Sequence, residues 1–210
     1  MSKTLFEFVE VGDIDGIEEL INKGVDINVI QDESANMPLH IATKLGEFEI
    51  VKLLVQHGAE INAKNANGNT PLRLASYKGY TEIADFLIQN NAEINVQNNL
   101  GLTPLHIAVK HKHSSTAKLL LSHGADPNIQ TNSGRTAIHM ATVNKDLTII
   151  KLLLDSGAKP YIKDDKRKKP ADLTNDNKII ELLRQDRSFK QTIPDRLISD
   201  YLKAFNYNYN

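Results

Sequence analysis

Apolar residues along this chain fall into pairs of short stripes at helical spacing, separated by polar, turn-forming stretches. Leu5, Phe8 and Val9 mark one face, and Ile14, Ile17, Leu20 and Ile21 mark a second, with Glu7, Glu10, Glu18, Glu19 and Lys23 on the remaining faces. Positions three and four apart share one side of an α-helix, so each stripe predicts a short amphipathic helix. Denser stripes follow at Ile50-Val51-Lys52-Leu53-Leu54, Ile83-Ala84-Asp85-Phe86-Leu87, Ala117-Lys118-Leu119-Leu120-Leu121 and Ile149-Ile150-Lys151-Leu152-Leu153-Leu154. Each runs out at Gly58, Asn91, Gly124 or Gly157, residue types that accept the left-handed conformation closing a helix. Between the helix pairs lie segments such as Asn95 to Gly101, whose composition predicts a projecting, hairpin-like loop.

The pattern is periodic. Met37-Pro38-Leu39-His40, Thr70-Pro71-Leu72-Arg73, Thr103-Pro104-Leu105-His106, Thr136-Ala137-Ile138-His139 and Lys169-Pro170-Ala171-Asp172 follow one another at intervals of 33 residues. A period of this size means a stacked array, in which each unit buries its apolar face only against its neighbours. Thr70, Thr103 and Thr136 stand where a side chain can N-cap the first helix of a unit. Pro71 and Pro104 stand at the first helical position, where a missing N–H is harmless. Leu72, Ala75, Leu105 and Ala108 then face the stack.

The G-x-T-P-L-H-x-A opening and G-A-D-x-N close, repeated in phase over 32–163, resemble those of ankyrin repeat proteins. That resemblance implies an all-α ankyrin-repeat solenoid of helix–turn–helix units with projecting hairpin loops and a concave binding groove. It divides the chain into an N-terminal capping repeat (1–31) and four full repeats (32–64, 65–97, 98–130, 131–163). A degenerate C-terminal capping repeat (164–187) and a tail (188–210) complete it. In the tail, Ile193, Leu197, Ile198, Tyr201, Leu202 and Phe205 fall on one face of an amphipathic helix after Thr192-Ile193-Pro194. That helix either covers the last repeat or docks a second protein. Departures are also visible: Met37 replaces the capping Thr, Ala35 the loop Gly, Arg73 the His and Ala137 the Pro. The resemblance gives His40, His106 and His139 the structural task of bracing adjoining loops.

Composition narrows the chemistry. Without cysteine there is no disulfide, thiolate metal site or cysteine nucleophile. No stretch has the length of a membrane span and no leader is visible, so the expectation is a cytoplasmic monomer without membrane insertion. Ile-, Asn- and Lys-rich usage adds the expectation of an effector from an intracellular microbe, working in the host cytosol. Phosphate-loop, zincin and nucleophile-elbow signatures are missing, which points away from an enzyme. His111 and His113, two apart, cannot share one helix face, so no metal or cofactor is expected there. The net charge is −1, yet residues 1–60 carry 12 acidic and 4 basic side chains, and 158–190 carry 10 basic and 6 acidic. The basic run Lys166-Arg167-Lys168-Lys169 is a solvated loop or an import signal, and nucleic acid is not an expected partner.

Function should sit where the units differ from one another on an exposed face. By period, the groove positions are loop tips and the ends of first helices. Most are polar, but Leu100 and Leu102 are not. With Tyr77 and Arg135 they are expected to form one compact patch of the residue types common at interface hot spots. The candidate partner-binding set is Leu45, Tyr77, Lys78, Leu100, Leu102, Lys110, His111 and Arg135. The function expected is non-enzymatic capture of another protein. The alternative is an adaptor whose tail helix recruits further machinery, such as ubiquitin-ligase components.

Overall fold

A computed structural model describes residues 4–184 except Asp32; the expected tail helix at 193–205 lies outside the described residues. The elements are α1 (Leu5–Val11), α2 (Ile14–Asn22), α3 (Pro38–Leu45), α4 (Phe48–Gln56), α5 (Pro71–Lys78) and α6 (Thr81–Gln89). They continue as α7 (Pro104–Lys110), α8 (Ser114–Ser122), α9 (Ala137–Val143), α10 (Leu147–Asp155), a single 3-10 turn (Pro170–Leu173) and α11 (Asn177–Arg184). No strand occurs among the described residues. The first helices α1, α3, α5, α7 and α9 pack in one row that ends on the 3-10 turn, while α4, α6, α8 and α10 form a second row. Lys169 and Asp172, in place of Thr and His, leave only this turn where a first helix would stand.

The stack closes on Leu39, Ala42, Leu72, Ala75, Leu105, Ala108, Ile138 and Ala141, each at most 1% exposed. Small Ala next to Leu or Ile lets successive first helices approach while filling the space between them. Gly58, Asn91, Gly124 and Gly157 all take positive φ, as their types predicted. The tight turn inside each unit needs the same conformation. Gly12, Gly46 and Gly79 supply it first, and Lys112 (φ 60°) and Lys145 (φ 54°) adopt it later.

Units are tied together by two polar ladders. In one, Asn28, Asn62, Asn95 and Asn128 each accept, through Oδ1, the backbone N–H of Glu60, Glu93, Asp126 or Lys159 in the next unit, at 2.8–3.0 Å. In the other, the loop N–H groups of Ala66, Asn99, Asn132 and Asp165 donate to the carbonyls of Ser34, Asn67, Leu100 and Ser133 one loop back. Backbone groups of the exposed loops find partners in the neighbouring unit in this way, without any sheet.

Capping departs from expectation at α9 alone. Thr70 and Thr103 accept from Arg73 N–H and His106 N–H at 3.3 Å. Thr136 makes no such bond; its hydroxyl lies 2.8 Å from His139 Nδ1 instead. Met37 cannot cap through its side chain, but its own N–H donates to His40 Nδ1 at 3.2 Å. The same histidine bond recurs at Thr103 and Thr136, so at Met37 only the reciprocal bond from a threonine hydroxyl is missing.

Ala35 takes φ 51° at the place held by Gly68, Gly101 and Gly134 in later loops. A Cβ on those glycines would lie 2.5–2.6 Å from a side-chain oxygen of Asn99, Asn132 or Asp165 in the following loop. Ala66 occupies that neighbouring position for the first loop and carries no such oxygen, so the Cβ of Ala35 meets less obstruction. The left-handed backbone still costs an alanine about 1–2 kcal/mol. Ala35→Gly is expected to stabilise the array by about 1 kcal/mol, read as a rise in Tm of about 2–4 °C. A lowered Tm would show that the freedom gained by the unfolded chain outweighs the relief.

Candidate partner-binding groove

Loop tips form one wall of a groove and first-helix ends form the other. The third loop is shaped by Asn98, whose Oδ1 accepts the N–H groups of Leu100 and Leu102 at 3.0 Å each. Asn98 N–H in turn donates to the Leu102 carbonyl at 3.1 Å. This closed turn throws Leu100 outward, 63% exposed, and folds Leu102 inward, 8% exposed. Leu102 is therefore not the displayed loop-tip side chain that its polar equivalents suggested. It forms the floor of a pocket of about 500 Å³ between the third and fourth loops.

Its lining takes Leu100 from the third loop, Lys110 from the end of α7, and Thr131 to Ser133 with Arg135 from the fourth loop. Met140, Val143 and Asn144 of the α9 end complete it. Val143 is 52% exposed, and Asn144 is fixed by donating to the carbonyls of Val109 and Lys110 at 3.1 and 3.0 Å. These three residues were not in the candidate set. Val143 could have been singled out, because it is aliphatic where Lys44 and Lys110 stand in other units. Arg135 Nε lies 3.6 Å from Asp164 Oδ2, a carboxylate that is only 5% exposed. Asp164 also accepts from Lys166 N–H and Lys168 N–H, and these hydrogen bonds chiefly hold its pKa below the usual carboxylate value.

The expected single patch of Tyr77, Leu100, Leu102 and Arg135 is divided in the structure. Tyr77 does not line the pocket; its ring meets His111 edge-on, with centroids 4.6 Å apart, and His111 in turn stacks on His113 at 6.2 Å. His113 bonds the Tyr77 carbonyl at 3.0 Å and covers Gly79, and Lys78 Nζ lies 6.0 Å from the Tyr77 ring. An aromatic ring attracts cations over its face and edge C–H groups toward other π systems, which accounts for this second cluster. The His111 pKa is lowered by burial and then by Lys110, His113 and Arg73, so the neighbourhood is electropositive. Leu45, 44% exposed on α3, belongs to neither group.

The motif histidines brace loops as the resemblance implied. His40 Nε2 reaches the carbonyls of Ala63 and Asn69 at 3.1 and 3.0 Å, and His139 Nε2 reaches that of Lys168 at 3.2 Å. His106 faces the equivalent carbonyls of Ile129 and Arg135 outside full hydrogen-bond geometry. Nδ1 accepts a backbone N–H in all three, from Met37, Thr103 and Thr136. The ring proton must then sit on Nε2, where it can be donated to a carbonyl. Arg73 interrupts the series, with its Nε buried and unpartnered among the described residues. Those residues hold no group of three or more His, Asp or Glu that could bind a metal ion, and no helix long and apolar enough to cross a membrane.

The family model described as ankyrin repeats (3 copies) matches residues 5–98 and 90–164. This chain belongs to the ankyrin repeat family. Its relatives include the 2-5A-dependent ribonuclease of Mus musculus, 37% identical over 65 residues, which are 31% of this chain and 9% of the ribonuclease. The putative ankyrin repeat protein FPV240 of Fowlpox virus is 36% identical over 63 residues, covering 30% of this chain and 15% of that protein. A putative ankyrin repeat protein of Rickettsia bellii is 35% identical over 69 residues, covering 30% of this chain and 10% of that protein. Each match thus spans a small part of the relative's length. Ankyrin repeats are in general protein–protein interaction modules and typically not enzymes by themselves.

Proposed function

We propose that this array is a non-enzymatic module that captures a partner protein in the groove, centred on the pocket between the third and fourth loops. The observation that carries this reading is the pocket itself, which has an apolar floor and rim at Leu102, Leu100 and Val143 and cations at Lys110 and Arg135. Exposed aliphatic residues around a concavity lose unfavourable contact with water when a partner covers them. A rigid frame, with loops cross-tied from unit to unit, also limits the ordering cost of association. Tyr77, Lys78 and His111 extend the surface along the groove, and Leu45 lies farther toward the N-terminal end.

The test uses Leu100→Asn with Val143→Asn, changing only exposed side chains. Leu102 is avoided, because a polar residue at that buried site would damage the loop as well as the surface. Affinity capture followed by quantitative mass spectrometry should lose the main partner with this double variant, while thermal unfolding stays as in wild type. Retention of the same partner at the same yield would sink the proposal.

A further inference from the structure

The groove changes character along its length, and that change specifies what a partner must carry. At one loop-tip position the successive units present Asn67, Leu100, Ser133 and Lys166; at another they present Asn69, Leu102, Arg135 and Lys168. The sequence of surfaces is polar, then apolar, then cationic. Lys166 and Lys168 are exposed, and the Asp165 N–H bond to the Ser133 carbonyl sets their loop directly beside the one bearing Arg135. Lys110 is exposed on the opposite wall, without an ion pair among the described residues.

No carboxylate lines the pocket, although Asp165 is exposed on the loop that bears Lys166 and Lys168. Asp164 is buried behind Arg135 and occupied by two backbone N–H groups. Asp165 turns its Oδ1 toward Gly134, within 2.6 Å of where a Cβ on that glycine would stand. The strongly acidic part of the chain, residues 1–60, lies in the first units of the stack.

Resting on the reading of the groove as the binding face, we infer that the occupant is an acidic segment of a partner protein with one large apolar side chain. That side chain fills the pocket over Leu102, between Leu100 and Val143. One carboxylate of the segment meets Lys110. Others lie toward the C-terminal end of the stack, over Lys166 and Lys168. Neighbouring packed helices are about 8–10 Å apart, so an extended segment advances about three residues per unit. The apolar anchor and the distal acids should therefore be about three residues apart. A nucleic acid fits less well: the exposed Tyr77 ring is already engaged by His111, and stacking on free aromatics is what holds single strands.

The experiment pans a displayed library of random peptides roughly 12 residues long, about 40 Å when extended, against the full chain. Selected peptides should be acidic and carry a Leu, Met or aromatic anchor about three residues from their carboxylates. Lys110→Glu, or Lys166→Glu with Lys168→Glu, should weaken a selected peptide roughly tenfold in fluorescence anisotropy, and added salt should weaken it further. Leu100→Asn with Val143→Asn should abolish binding without altering charge. If neutral or basic peptides are selected and still lost with that neutral double variant, the acidic chemistry is wrong but the groove reading stands. If selected peptides ignore both sets of substitutions, the groove reading itself fails. Selection of no peptide, displacement of peptides by random single-stranded DNA, or self-association that Leu100→Asn removes would each overturn the inference.

Discussion

Acidification from pH 7 to pH 4 is expected to remove about 3 kcal/mol of stability through His106 alone. Burial is the main reason that its pKa falls from 6.5 to about 4. Geometry acts in the same direction, since Nδ1 faces the Thr103 N–H at 3.2 Å and a proton placed there would confront another donor. The unfolded chain takes up a proton near pH 6.5 and the folded chain only near pH 4. In that window the unfolded state binds more protons, so stability falls as pH falls, and the loss levels off below about 4. His40 and His139 have pKa values lowered by burial too, and they add to the loss with the same sign. Urea unfolding of wild type and His106→Gln between pH 7 and pH 4 isolates the contribution, because the carboxylates are common to both. The slope should be shallower in the variant; equal slopes would mean that His106 titrates alike in both states.

Gly101→Ala is expected to cost roughly 2–5 kcal/mol. About 1–2 of this comes from forcing alanine into the left-handed region, at φ 72°. The rest is overpacking, typically about 1–3 kcal/mol: the new Cβ would stand 2.5 Å from Asn132 Oδ1 and 2.6 Å from Asn132 N. A backbone atom cannot swing aside as a side-chain tip can. The third and fourth loops must separate, breaking the 3.2 Å bond from Asn132 N–H to the Leu100 carbonyl. That bond holds the two rims of the pocket together, so partner capture should fall along with Tm. An unchanged melting temperature with full capture would show that the loops yield freely and that the pocket does not depend on their register.

These two cases also show what the sequence could and could not disclose. The helices, the stacked Leu and Ala positions and the left-handed helix ends follow from local composition repeated at a fixed period, so they are legible in the sequence. The position of Leu102 is not legible there, because its exposure depends on the direction in which one Asn98 oxygen ties the turn, a matter of two bonds rather than of hydropathy. Tyr77 parts from the leucines for a similar reason. Its ring could turn toward the leucines or toward His111, and only packing selects the latter. The Arg135–Asp164 pair joins residues 29 apart in sequence, as do several other contacts between units, and no spacing rule within one unit reveals it. Asn28, Asn62, Asn95 and Asn128 were visible as part of the repeated close, yet their service to the following unit appears only once the units are stacked.

That asparagine ladder also sets the order in which the array should come apart. Each rung fastens one unit to the next, and the position that would carry the fifth holds Tyr161, 63% exposed. The joint beyond Asn128 therefore lacks a side-chain clasp that every earlier joint possesses. In an array stabilised by nearest-neighbour contacts, opening spreads from the weakest joint. Amide hydrogens after Tyr161 should exchange first, with protection rising unit by unit toward α5 and α7, so that a single tyrosine marks where the zipper begins to run.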